Sequence, residues 1–310
     1  LHLLSRRQRQ MCIRDRRKES VQKTDKKYGE YLSFFESELH NYINSFHASS
    51  TVLFEAMKYS LDAGGKRIRP VLLLAANDAL GGHAEEAVPF AIALEMIHTY
   101  SLIHDDLPAM DDDDFRRGNP SNHKKFGEGM AILAGDGLLS LAFELCLANI
   151  KDDNSLAAAR ILSAAAGVNG MVAGQAADLQ SETREEYSER QLLYIIENKT
   201  SKMIAAPLAM ASALNGGKYM TELKNFGRSL GFLFQVVDDI LDVEGDFEQM
   251  GKTLGKDAKE NKLTSVKYYG LKGAKEYADK LYAESVGALA GVREGGFLLK
   301  LAEKIYKRTN

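Results

Sequence analysis

Apolar residues recur at helical spacing over most of the chain, clearest over 87–103, 131–147 and 226–243, and no stretch alternates convincingly like a half-buried strand. Paired glycines at Gly64-Gly65, Gly81-Gly82, Gly216-Gly217 and Gly295-Gly296 punctuate these runs, where a helix C-terminus favours a residue tolerant of positive φ. The pattern predicts helices over 27–47, 51–63, 70–80, 84–106, 128–149, 154–180, 187–213, 219–244, 261–269, 271–290 and 294–307. With no shift of composition to mark a boundary, these elements make a single all-α bundle. Gly167, Gly170 and Gly174 share one helical face, which lets a neighbouring helix approach closely.

Residues 1–19 fall outside this pattern. They are dense in Arg and Gln and lack a sustained apolar period, so they are read as a foreign or disordered leader ahead of a domain over 20–310. Asp15 and the missing amphipathic stripe count against a mitochondrial presequence.

At 310 residues, 45% of them hydrophobic, the chain can close a large core. The formal net charge of −3 argues against general nucleic-acid binding. Cys12 and Cys146 are too few for a disulfide framework or a zinc site. No stretch reads as a membrane span or a secretory signal, so the expectation is a soluble, cytoplasmic protein without stable membrane association.

Two acidic clusters change the picture: Asp105-Asp106 with the run Asp111 to Asp114, and Asp238-Asp239 with Asp242. Both sit in apolar sequence, and a buried carboxylate needs a cation. Asp238 and Asp242 lie one helical turn apart on the same face, where like charges repel unless something positive lies between them. Pro108 interrupts the first cluster, so Asp105 and Asp111 meet only through a bend. A hard divalent ion with oxygen ligands fits, and Mg²⁺ commonly shares its shell with substrate phosphates. The spacing does not match an EF-hand. Asp112, Asp113 and Asp114 are read as facing water or pairing with Arg116 and Arg117.

Lys66, Arg67 and Arg69 lie on a glycine-loosened loop ahead of Pro70, and Arg116-Arg117 follow the first acidic cluster, so two basic patches flank sites suited to diphosphate. Neither a P-loop nor a dinucleotide-binding glycine fingerprint is present.

Together, GGKRIRP (64–70), His98 through HDDLPAMDDDDFRRG (104–118), GQAAD (174–178), KT (199–200), FQVVDDILD (234–242) and GKTLGKD (251–257) resemble the short-chain trans-polyprenyl diphosphate synthases, in particular the bacterial farnesyl type, from about Tyr28 to the C-terminus. The resemblance implies the isoprenoid synthase bundle with a central active-site cavity, assembled as a homodimer. It implies that Asp105, Asp106, Asp111, Asp238, Asp239 and Asp242 hold Mg²⁺ on an allylic diphosphate. Lys66, Arg69, His98 and Arg117 match the isopentenyl diphosphate pocket; Arg116, Lys199, Lys252 and Lys262 match cations around the allylic diphosphate. Thr200 and Gln235 match polar groups near the allylic carbon, and Gln175 and Asp178 match supporting residues. On residue type alone His98 reads as a core histidine; only the resemblance makes it a ligand.

Tyr100, beside the small Ser101 and five residues before Asp105, resembles the bulky floor of farnesyl-producing members and implies a fifteen-carbon product. The alternatives are a geranylgeranyl diphosphate synthase, a terpene cyclase, which needs no isopentenyl pocket, and a non-catalytic subunit, which would lose motif aspartates retained here.

Overall fold

The computed structural model describes residues 2–46, 49–183, 186–244 and 262–309, with side chains from Thr24 onward. Helix α1 (His2–Ser45) leads into α2 (Thr51–Asp62), α3 (Ile68–Leu80) and α4 (Ala84–Asp105). After a short hairpin come α5 (Asn122–Phe126), α6 (Glu128–Ala148), α7 (Asp153–Ala166), α8 (Met171–Glu182) and α9 (Glu189–Ile195). A π-helical segment (Ile196–Ser201) runs into α10 (Lys202–Leu214), followed by α11 (Met220–Glu244), α12 (Ser265–Ala288), α13 (Gly296–Tyr306) and a 3₁₀ turn (Lys307–Thr309).

The backbone of α1 begins far earlier than the expected 27, running through the segment set apart as a leader. Its Arg, Gln and Lys residues are good helix formers, so weak apolar patterning does not prevent a helix there. Further along α1, Phe35, Leu39 and Ile43 recur every fourth residue and are buried on one stripe.

Helices α4 and α10 carry buried residues around most of their circumference, as central helices do, and α3 lies against both. One apolar cluster gathers α2, α4, α6 and α7 around Phe90, Leu94 and Ile97; a second gathers α11, α12 and α13 around Phe226, Leu233 and Ile240. Asp152 and Ser188 close capping boxes with Ser155 and Gln191, fixing the starts of α7 and α9. Cys146 is buried in the first cluster, and burial pushes its thiol up to about 12.

Three local features depart from the expected elements. The predicted 154–180 helix breaks into α7 and α8 at Gly167 to Gly170; a Cβ on Gly170 would lie 2.1 Å from the Ala165 carbonyl oxygen. A two-residue ladder pairs Phe115 with Pro120 and Arg116 with Asn119 where no strand was expected. Arg117 and Gly118 at its tip both have positive φ (54° and 79°), as a type I′ turn requires. Finally, Glu128–Ala148 is long and apolar enough to cross a membrane by length and composition, contrary to expectation. Here it packs against α4, α2 and α5, while Ile132, Leu133 and Leu147 stay exposed on its outer face. The expected break near 270 appears as a kink inside α12, where Gly270 takes φ 70°.

Candidate active site

The bend after α4 is made by the chain's own backbone. Asp111 N–H donates to the Asp105 carbonyl at 2.8 Å and Asp113 N–H to the Asp106 carbonyl at 3.1 Å, so the loop folds back and sets Asp111 beside Asp105. Asp112 takes a positive φ (46°) within this loop, a conformation Asp tolerates better than most residues.

A cavity of about 530 Å³ opens between this bend and α11. It is lined by Asp105, Asp111, Asp238 and Asp239; by Arg69, His98, Arg116, Lys199 and Lys262; and by Thr200, Gln235, Gln175, Asp178, Tyr100 and Ser101. Both acidic motifs therefore contribute to one space. Asp106, Asp242, Lys66 and Arg117 stand outside the immediate lining, and Lys252 lies outside the described residues.

Three of the six motif carboxylates, Asp106, Asp111 and Asp238, pair with cations among the described residues. Arg116 donates to Asp106 through Nε at 2.9 Å and through Nη2, and its Nη2 also reaches Asp113 at 3.0 Å. Lys262 pairs with Asp111 at 2.9 Å, and Arg308, from the C-terminal turn, pairs with Asp238 at 2.8 Å. Asp239 accepts from Gln235 Nε2 at 2.8 Å and from the Ser265 N–H and hydroxyl, each at 2.7 Å, which ties α11 to the start of α12. The Asp242 Oδ1 is buried without a hydrogen-bond partner among the described residues. Burial raises the Asp105 carboxyl to about 6, against the pull of Lys199.

Basic residues gather in and beside the same cavity. Burial and the surrounding Arg69, Arg117, Arg67 and Arg116 hold His98 well below its ordinary range, so its ring is neutral. Burial also lowers Arg69 to about 10, and its Nε has no partner. Arg117 donates to the Gly64 carbonyl, and its guanidinium fills the space beside Gly65, where a Cβ would come within 2.7 Å of Cζ. The Lys66 side chain, desolvated and close to Arg308 and Lys304, has a lowered pKa.

Arg67 departs from the loop's other cations. Its side chain is buried, donating at 2.8 Å to both Glu36 and Glu95 and at 2.6 Å to the Leu61 carbonyl. It therefore anchors the loop to α1, α2 and α4 rather than facing the cavity.

The π-helical turn presents Lys199 and Thr200. Burial opposes charge on Lys199, but Asp178, at 2.5 Å, and Asp105 raise its pKa and keep it an ammonium. Thr200 donates its hydroxyl to Gln235 Oε1 at 2.7 Å, and Gln235 donates through Nε2 to Asp239 Oδ1. Because a carboxylate only accepts, this chain fixes the Gln235 amide orientation and leaves the Thr200 oxygen with lone pairs. Tyr100 is buried, with its ring edge-on to His104 at 5.7 Å between centroids, and His104 in turn lies 3.0 Å from the Ile132 carbonyl oxygen through Nε2.

The sequence reading missed Ser265 and Arg308, which touch the second acidic motif but lie in segments without a distinctive motif. It also read the later aspartates only in part: Asp113 does pair with Arg116, whereas Asp114 pairs with Lys124 at 2.7 Å. Asp112, Asp114 and His123 bring ligand-type atoms within 4.8 Å of one another, apart from the two motifs expected to act together.

The polyprenyl synthetase family profile matches residues 50–291. The chain is 46% identical over 252 residues to the farnesyl diphosphate synthase of Micrococcus luteus, covering 80% of this chain and 86% of that protein. It is equally, 46%, identical over 266 residues to the chloroplastic geranylgeranyl pyrophosphate synthase of Capsicum annuum, covering 84% of this chain and 72% of that one. A geranyltransferase from Helicobacter pylori, solved with magnesium and isoprenyl diphosphate, superposes with a TM-score of 0.76 at 34% identity, covering 90% of this chain and 97% of that one. An all-helical bundle with paired acidic motifs facing a cationic wall defines a trans-prenyltransferase. The chain belongs to the polyprenyl synthetase family.

Proposed function

We propose that the chain condenses isopentenyl diphosphate with the allylic dimethylallyl and geranyl diphosphates to give farnesyl diphosphate, in a Mg²⁺-dependent reaction. The observation that carries this reading is the single cavity in which Asp105 and Asp111 face Asp238 and Asp239, with cationic groups on the adjoining wall.

The donor set fits a hard cation. Asp242 Oδ1 is a buried carboxylate oxygen without a partner among the described residues, and burial makes ionisation of Asp105 costly until positive charge arrives. Asp105, Asp106 and Asp111 from the bend, and Asp238, Asp239 and Asp242 from α11, would hold Mg²⁺; bound there, it stabilises negative charge on a leaving diphosphate.

The chain's own groups account for the rest of the reaction. Lys199, Lys262 and Arg116 hold the allylic diphosphate, while Arg69, Arg117, Lys66 and neutral His98, donating a hydrogen bond, hold isopentenyl diphosphate. The allylic carbon–oxygen bond breaks and its electron pair leaves with diphosphate. The π electrons of isopentenyl diphosphate then form the new carbon–carbon bond, and a proton is lost to a diphosphate oxygen. The lone pairs of Thr200, oriented by its bond to Gln235, suit the developing carbocation. Water must be kept from quenching that cation, which a cavity within the helical bundle favours.

Buried Tyr100, which lines the cavity and is braced by His104, supports the fifteen-carbon product as the ring that would limit growth of the chain. Resemblance to the Capsicum annuum protein favours the alternative geranylgeranyl product. Incubation with isopentenyl and dimethylallyl diphosphates plus Mg²⁺ decides by product mass: fifteen carbons are expected for the chain as it stands, and longer products for Tyr100→Ala. A twenty-carbon main product, or an unchanged spectrum in the variant, would remove Tyr100 as the floor; no product would leave a non-catalytic subunit.

The assembly read here is a homodimer, with the outer face of α6, where Ile132, Leu133 and Leu147 are exposed, as the surface that a second copy covers. Sedimentation equilibrium should give twice the chain mass, and Leu133→Glu should shift it to the monomer.

A further inference from the structure

Behind the Asp106–Arg116 pair lies a second, small cavity of about 20 Å³, lined by Thr99, Asp106, Arg116, Ser121 and Asn122 among others. Two of its lining groups are buried polar atoms without a hydrogen-bond partner, Thr99 Oγ1 and Asn122 Oδ1, on residues only 1% and 2% exposed. Their assignments follow from chemistry. Asn122 Nδ2 donates at 2.8 Å to the Ala56 carbonyl and to Ser60 Oγ, and a carbonyl can only accept, so Oδ1 is the amide atom left over. The Thr99 hydroxyl makes no bond back to its own helix. Thr99 and Asp106 are seven residues apart, two turns along α4 and its C-cap, and so share a face.

We propose that this cavity is a buried water site, and that Thr99 and Asn122, through that water, are positioning residues for the Asp106–Arg116 pair. A single water needs about 10–15 Å³ and two to four polar partners, and the cavity supplies both. The mixture of groups also selects water. Asn122 Oδ1 and the Asp106 carboxylate require donors, Arg116 requires an acceptor, and Thr99 can serve either way. Water alone of common small ligands donates twice and accepts twice within so small a volume. A cation would meet the Arg116 guanidinium and an anion the Asp106 carboxylate, while an apolar group would leave Thr99 Oγ1 and Asn122 Oδ1 unpaired.

The consequence rests on the proposed reaction, in which Asp106 belongs to the first acidic motif. A water bridging α4, α5 and the hairpin limits how far the carboxylate and guanidinium can move when substrate and Mg²⁺ enter. Groups that orient a metal-binding carboxylate in this way typically change metal affinity or activity by about 10–100-fold when removed.

A high-resolution crystal structure tests the site directly: ordered density bridging Thr99 Oγ1 and Asn122 Oδ1 is expected, whereas a dry cavity, or a Thr99 hydroxyl turned onto its own helix, would overturn it. Thr99→Val keeps the shape and removes the hydroxyl. It should raise the Mg²⁺ concentration for half-maximal prenyl transfer by about tenfold with the unfolding midpoint retained, and Thr99→Ser should restore it. An unchanged Mg²⁺ dependence in the valine variant, or a serine variant as impaired as valine, defeats the positioning role. Failure of the prenyl-transfer reading is separate: the unaltered chain would make no product, while diffraction would still report the water.

Discussion

Arg67 shows how a residue can belong to a functional motif and serve the fold. The loop reads as three cations for an anion, yet Arg67 has φ 46°, and this left-handed step turns its side chain inward between Glu36 and Glu95. Burial opposes the charge, but Glu95 and Glu36 raise the guanidinium pKa above its usual value, so Arg67 stays charged. Removing one partner of a buried ion pair typically costs about 3–5 kcal/mol, because the other charge is left uncompensated. Arg67→Ala should therefore lower the unfolding free energy in urea by about that amount, and a loss below ~1 kcal/mol would show that Glu95 finds another partner. Arg67→Lys should recover only part, since an ammonium lacks the guanidinium's fork. Residue type alone could not separate Arg67 from Lys66 and Arg69: the side of the loop each faces depends on a backbone angle that composition does not encode.

At the scale of elements, periodicity located most helices within a few residues but could not resolve what happens inside them. The predicted 187–213 helix contains the π turn at Ile196–Ser201, one extra residue per turn that leaves the apolar spacing almost unaltered. That turn presents Lys199 and Thr200 to the cavity. Of the three glycines expected to share one helical face, only Gly174 meets a neighbouring helix, where a Cβ would stand 2.1 Å from the Lys199 backbone nitrogen; Gly167 and Gly170 sit at the break against carbonyl oxygens of α7. Gly174→Ala should push α8 away from the π turn, costing about 1–3 kcal/mol as overpacking generally does. The displaced Lys199 should lower kcat more than it alters the KM for isopentenyl diphosphate, which other residues hold. Full activity with unchanged stability would mean that the two helices separate without disturbing Lys199.

For the whole molecule, the two acidic motifs are separated by more than a hundred residues, and nothing in either one fixes where the other lies. Their meeting depends on α4 and α11 ending near one another, an outcome of packing two apolar clusters around α3, α4 and α10. Family resemblance made that convergence legible; the spacing within either motif did not. The folded chain consequently gathers unlike charges that are incompletely matched: Asp242 Oδ1 and Arg69 Nε are buried and unpartnered among the described residues, and burial raises Asp105 to about 6. A ligand that meets these groups only in the folded state must stabilise that state, by about 2.7 kcal/mol at a hundred times its Kd. Inorganic diphosphate with Mg²⁺ should thus raise the unfolding midpoint by several degrees, whereas diphosphate alone should do less because it meets the carboxylates unscreened. Asp239→Ala should abolish most of the Mg²⁺-dependent part while leaving the diphosphate-only shift, since Arg69 and Lys199, which also line the cavity, keep their charge. Equal shifts with and without Mg²⁺ would mean that the cationic wall binds diphosphate by itself and that the carboxylates do not converge on a shared ion.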